Sequence, residues 1–568
     1  MCVIHPTKPL PRRVHMKSRS PIYFTIVIAL LLTACSGGQD DGKQTPDNYG
    51  TLTATIADSQ TGEGIPARVY ARGSDDSLYF AENCLPYERP GFLERIGYSG
   101  RHFTTTGDTF TVHLPPGVAT IRIERGKEYI PVEETVDIRI GETVTRRFEL
   151  RRWIDMAERG WYSGDLHVHR PLGDLAALLR AEDLNLASPQ TVWGMKREPG
   201  LDEWLGKADS DGVITVDSRH IFSVLSHEIE RFRNGAILMH ATGKTLLPVA
   251  DHEERGLPNM SLIDLTREAG GYVEAEKPWW PESHIDIALG KADFTGIANN
   301  HFTYRGYLPE HPRKRTEFST DYPDGVRGYA DYVLDLYYAY LDCGFRVMPT
   351  AGSASGVLPN PLGYNRVYVK VEGDFTFGNW FASLKKGRCF VTNGPLLFMT
   401  VDGHEPGDTV NSNGAVTVIC EVHSLVPIER LEIVRDGEIV HSVEPMLSGH
   451  GATVVTGVPV KRGGWIAARC FEKRDDTVGL AQTVGLAQTV GLAQTVRFAH
   501  TAPVFVDVPG KPFRPKRDAA GYFLKKTDEL IVRAETGEYP SEEARDAAMT
   551  VYQNAKSLFE NLVEESDR

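Results

Sequence analysis

The chain lacks a membrane-length apolar run, a basic block and any pair of cysteines at zinc-binding spacing. Each absence removes a class of protein. The apolar stretch from Ile22 to Leu32 is shorter than the roughly 20 residues a spanning helix needs, which argues against a transmembrane anchor. Only 62 lysines and arginines stand against 76 acidic residues, a net charge of -14, so nucleic acid is not an expected partner. Seven cysteines without a Cys-x-x-Cys pair exclude a cysteine-held structural zinc module. What remains is 41% hydrophobic and 24% charged, the composition of globular domains, and 568 residues are too many for one core.

The first 35 residues read as an address rather than as structure. Lys17 and Arg19 precede the apolar run, which ends in Leu32-Thr33-Ala34-Cys35. That ending resembles a bacterial lipobox, which implies cleavage before Cys35, lipidation of that cysteine and, with Ser36 next, an outer-membrane protein facing the periplasm. Residues 36–50 are poor in apolar groups and read as a flexible tether. Residues 51–152 alternate over short runs, such as Leu52 to Ile56 and Phe110 to Leu114, and predict a β-sandwich similar to the carboxypeptidase-regulatory type of prealbumin-like domain. An oxidising compartment permits disulfides, and Cys420 with Cys470 is the pair to test.

Chemistry can be read from spacing in Gly164-Asp165-Leu166-His167-Val168-His169. In an extended strand, residues two apart share a face, so His167 and His169 present two imidazoles to one metal ion. Asp165 has the same parity and is placed to bridge, to ligate or to orient a histidine. Solvated histidines on an edge strand are the alternative.

This motif resembles the first motif of the PHP (polymerase and histidinol phosphatase) superfamily, in its CehA/McbA-type metallohydrolase branch, and the resemblance runs from Trp161 to Pro395. It implies a distorted (β/α)7 barrel over 153–395 with a metal site at the C-terminal ends of its strands. Ser226-His227-Glu228 matches the family's Glu strand and makes Glu228 the third ligand, with His227, on the opposite face, as its competitor. Other family positions have changed. Ser188-Pro189-Gln190 replaces an Asp-His, Lys277 stands in place of a histidine, and Ala354 and Gly356 replace both ligands of the closing motif. One divalent ion (zinc, manganese or iron) is therefore expected rather than three. Lys277 would substitute for the charge of a missing metal or act as acid or electrophile. His301, at a strand end, is the candidate fourth ligand or general base, and a strand-end histidine is the alternative. The loop holding Ser353 offers amides for an oxyanion, with Arg346 and Arg366 as substrate-binding partners, unless its small residues are packing turns.

Residues 396–508 predict a second β-sandwich, interrupted at 477–494 by three copies of Thr-Val-Gly-Leu-Ala-Gln, and residues 509–568 a helical tail. Two functions compete. One is a lipid-anchored, metal-dependent hydrolase of a phosphoester, ester, carbamate or amide in a small-molecule or cell-envelope substrate. The other is an inactive envelope protein that binds a ligand such as a carbohydrate. The sequence names no protein partner.

Overall fold

A computed structural model describes residues 48–88, 101–194, 196–231, 234–240, 257–303, 306–307, 322, 325–473, 496–537 and 539–567. Cys35 and the repeat at 477–494 lie outside the described residues. Asn48–Arg568 form one compact unit. It is a mixed α/β structure, rich in strand and built from several sheets. No helix among the described residues is long and apolar enough to cross a membrane.

The alternating N-terminal segment folds into two sheets. Gly50–Asp58 pairs antiparallel with Thr109–Leu114 and parallel with Thr143–Leu150. The other sheet runs Cys84–Glu88, Arg101–Thr105, Arg68–Arg72, Gly117–Glu124, Val132–Ile138. Leu52, Val69, Phe103, Val112, Ile121 and Phe148 from both sheets share one core. Ions join this module to the next. Arg68 is paired with Glu124 and Glu182, and Arg152 reaches Asp183 at 2.9 Å and Glu128 at 2.9 Å, in an almost fully buried network.

The middle of the chain supplies β1 (Trp161–Val168), helix α1 (Leu175–Ala181), β2 (Leu186–Trp193), β3 (Ser226–Arg231), β4 (Gly235–His240), β5 (Tyr272–Ala275), β6 (Phe294–Ala298), helix α2 (Val326–Asp342) and β7 (Met348–Ala351). Pairing is parallel from β1 to β2 and β2 to β3, antiparallel from β3 to β4 and β4 to β5, and parallel again from β5 to β6 and β6 to β7. The segment after β7 then returns to β1. Ala354 N–H donates to the His167 carbonyl and His169 N–H to the Ser355 carbonyl, both at 2.7 Å, so the strands form a closed ring. Strands buried on both faces read as apolar runs, as β4 does. Asp174 precedes α1 without a side-chain capping bond and lies 3.7 Å from Arg170.

The sheet does not stop at residue 395, where the sequence predicts a boundary. Arg366–Lys370 pairs with β1, Cys389–Thr392 pairs with it, and Phe498–Thr501 pairs in turn with Cys389–Thr392. The C-terminal strands thereby extend the same sheet, and Leu396–Val401, Ala415–His423 and Gly451–Pro459 form a separate sheet against them. Cys420 and Cys470 are free thiols in the shared core, not a disulfide. The tail forms α3 (Arg517–Thr536) and α4 (Glu542–Asp567), and the stripe Ala548, Tyr552, Ala555 and Phe559 joins the core that holds α2. Tyr552 in that stripe bonds Glu282, and Val551 packs beside it.

Candidate metal centre

The site is built on β1, which is buried along its C-terminal six residues. Gly164 is required there by close packing. A Cβ on it would lie 2.5 Å from the Trp380 indole, whose Nε1 donates to the Tyr162 carbonyl at 2.9 Å. Beyond Gly164 the pairing register shifts between Asp165 and Val168, and His169 follows directly after the strand.

His167 Nε2 lies 3.0 Å from His169 Nε2. Glu228 Oε2, from the middle of β3, is 3.4 Å from the first and 3.1 Å from the second. Among the described residues, these three side chains form a group able to hold a metal ion. Bonds of about 2.0–2.1 Å in a tetrahedron put neighbouring ligand atoms about 3.3 Å apart, so the spacing suits a divalent ion. Glu228 Oε2 is buried and accepts no hydrogen bond, and its polar neighbours are the two imidazole nitrogens.

Glu276 completes the arrangement from behind. Its carboxylate lies 3.3 Å from His167 Nδ1, which fixes the proton there and frees Nε2. Trp280 Nε1 donates to the same carboxylate at 2.6 Å, and the Lys277 ammonium contacts both its oxygens. Lys277 is buried, 5.0 Å from the Trp280 ring centre and 5.8 Å from that of Trp279.

The charges are coupled. Burial disfavours ionised Glu228, yet the His167 and His169 rings overcome this and hold it well below the usual carboxylate range. Burial likewise opposes a charged His167, but Glu228 and then Glu276 push it up to about 10. His169 is held below its ordinary value by burial, only partly offset by Glu228. Burial of Glu276 is outweighed by Lys277 and His167, which lower it to about 2. A metal ion bound here would have to displace the proton that these carboxylates hold on His167.

The remaining predicted residues are placed differently. Asp165 is fully buried and does not face the imidazoles. It accepts from the N–H of Ser353 at 3.0 Å, of Gly363 at 2.8 Å and of His167 at 3.1 Å, and from the Ser353 hydroxyl. Its role is to pin the end of β1 to the loop after β7. Ser353 is consumed by that contact. The loop's amides are also committed, Ala354 to the His167 carbonyl and Ser355 to Ser353 Oγ at 3.0 Å, so they do not form an oxyanion nest. Its small residues are there for closeness. A Cβ on Gly352 would lie 2.4 Å from His167 Cβ, and one on Gly356, at φ +109°, 2.1 Å from the His169 carbonyl oxygen.

Arg366 is buried with its guanidinium on the carbonyls of Gly363, Glu182 and Asp183, where it holds the turn after α1 rather than a substrate. Arg346 precedes β7 and so stands at the opposite end of that strand from the site. It is exposed, bonds Thr409 Oγ1 at 3.3 Å and lies over the Phe505 ring at 4.0 Å. His301 is outside the ligand group, and its ring packs 5.6 Å from Trp279 and 6.2 Å from Tyr329. His227 points away from Glu228, and both its ring nitrogens are buried without partners.

Two features were not expected. β5 ends at Ala275, so strand alternation no longer separates Glu276 from Lys277, and both enter one cluster. Deeper in the ring, Ser188 Oγ bonds Ser226 Oγ at 2.5 Å and His240 Nδ1 at 2.9 Å, and His240 Nε2 lies 3.5 Å from Glu274. The parity of Ser226 with Glu228 and of His240 with Leu238 was the available signal.

No family model matches this chain, and no curated protein matches it. Among solved structures, a similarity of 14% identity and TM-score 0.15 covers 19% of this chain and 46% of GBS52, the minor pilin of Streptococcus agalactiae. That likeness covers less than half of the pilin.

Proposed function

We propose that the chain is a metal-dependent hydrolase on a PHP-like barrel, with a single divalent ion, zinc, manganese or iron, held by His167, His169 and Glu228. The observation that carries this reading is the convergence of two Nε2 atoms and a buried carboxylate oxygen within 4.8 Å of one another. A buried carboxylate oxygen without a hydrogen bond, as at Glu228, costs free energy that a bound cation offsets. A divalent ion there supplies Lewis acidity and makes water nucleophilic near neutral pH. Glu276 holds the His167 proton at Nδ1, and Asp165 fixes the strand end that carries the ligands. Lys277 and Gly356 account for a reduced metal count. The Lys277 ammonium takes the charge of a second cation beside Glu276, and the close approach of Gly356 to the His169 backbone leaves no room for a side chain at that position.

The bond cleaved is a phosphoester, ester, carbamate or amide. The lipobox-like residues ending at Cys35 support an envelope location with anchoring through that cysteine. The test is metal content per chain in the protein and in a His167→Ala, His169→Ala variant. Near-stoichiometric metal that the variant loses supports the hydrolase. No metal in either after reconstitution overturns it and leaves the ligand-binding barrel.

A further inference from the structure

Most large apolar side chains of the ring are buried, and Trp193 at the end of β2 is an exception, with 40% of its surface exposed. It is also at the metal centre. Its ring centre lies 4.6 Å from that of His169, it stands level with Glu228 in the parallel register, and the next amide, Gly194 N–H, donates to the Glu228 carbonyl at 2.8 Å. Here β2 turns back as a hairpin through Lys196–Arg197, with Lys196 directly opposite Trp193 and so on the same face. The two cations of this strand differ. Arg197 pairs with Asp202 at 2.6 Å, whereas Lys196 is exposed and forms no ion pair among the described residues.

An indole that sits against a candidate metal ligand and is still open to solvent has not been placed there by core packing. Its open surface suits a flat ring, and the adjacent ammonium suits an oxyanion attached to that ring. We propose that this hairpin is the substrate-recognition element, in which Trp193 stacks a flat ring and Lys196 pairs with the anionic group borne by it. Resting on the hydrolase reading, the proposal narrows the substrate to ring-bearing anions and makes Trp193 a specificity residue rather than a catalytic one. Neutral esters and amides of acyclic compounds fall outside it.

Phenylphosphonate and methylphosphonate share a headgroup and differ by the ring. Their binding to the full chain is measured by titration calorimetry, with zinc and without, and zinc content is determined on the same samples. Phenylphosphonate is expected to bind roughly five- to tenfold more tightly. Trp193→Ala should bring the ratio near one, and Trp193→Phe should keep it. Lys196→Met should weaken both ligands by a common factor of roughly two to five and reduce the salt dependence. Equal affinities in the unmodified protein, a ratio that survives Trp193→Ala, or no binding of either phosphonate would each overturn the proposal. Failure to take up zinc sinks the hydrolase reading separately, because the ring preference is read in both metal states.

Discussion

Replacing Gly352 with alanine tests the site's construction without touching a ligand. The added Cβ would fall 2.4 Å from His167 Cβ and 3.1 Å from its amide nitrogen, against the 3.4–4 Å of ordinary contact. About 1 Å must be found, and both neighbours resist. β1 is held by Asp165 and by pairing on both edges, and the loop is held by the Ser353 and Ala354 amides. Overpacking of this kind costs about 1–3 kcal/mol. A metal tolerates ligand errors of only about 0.2 Å, so much of that cost should appear in metal binding as a loss of about 10–100-fold in affinity. Gly173→Ala is the control, since nothing lies within 4 Å of the position its Cβ would take. Zinc affinity would be measured by competition with a chromophoric chelator, beside thermal unfolding. Affinity within twofold of the unmodified protein in Gly352→Ala, with the control also unchanged, would refute the placement of the loop against His167.

Glu276→Gln should lower metal affinity about 10–100-fold while the protein stays folded, because His167 loses the carboxylate that sets its tautomer; chelator competition and circular dichroism separate the two effects. Glu182→Ala leaves Arg68, almost fully buried, with Glu124 alone, and a loss of about 3 kcal/mol is expected in urea unfolding, whereas a change under about 0.5 kcal/mol would mean that the pair is not buried in solution. Burial pushes His284 down to about 3, so it stays neutral when folded and takes up a proton near pH 6.5 only when unfolded. The unfolded state then binds more protons, and the stability present above about pH 6.5 is lost as pH falls, by about 1.4 kcal/mol per unit towards pH 3. His284→Phe should flatten the acid limb of unfolding midpoints by that slope, and an unchanged slope would count against a neutral buried imidazole.

Several elements were legible in the sequence because their signals are local. The two-residue period put His167 and His169 on one face before any partner was known, and the parity of Glu228 against His227 was likewise decided within one strand. The tail from residue 509 read as helical, and it folds as α3 and α4. Tertiary structure decided what depends on distant segments meeting. Only the return of residues 354–355 to β1 explains Ala354 and Gly356, which read as lost ligands along the chain and lie against His167 and His169 in space, and the same return explains Gly352. Glu276 became a partner of His167 because β5 stops at Ala275, and strand ends are set by neighbouring pairing rather than by composition. Arg346 and Arg366 were drawn to the site by residue type, while packing sent one to Phe505 and the other to the turn after α1. Alternation is a property of a single strand, whereas ring closure, burial and the environment of a charge are properties of strands brought together from across the chain.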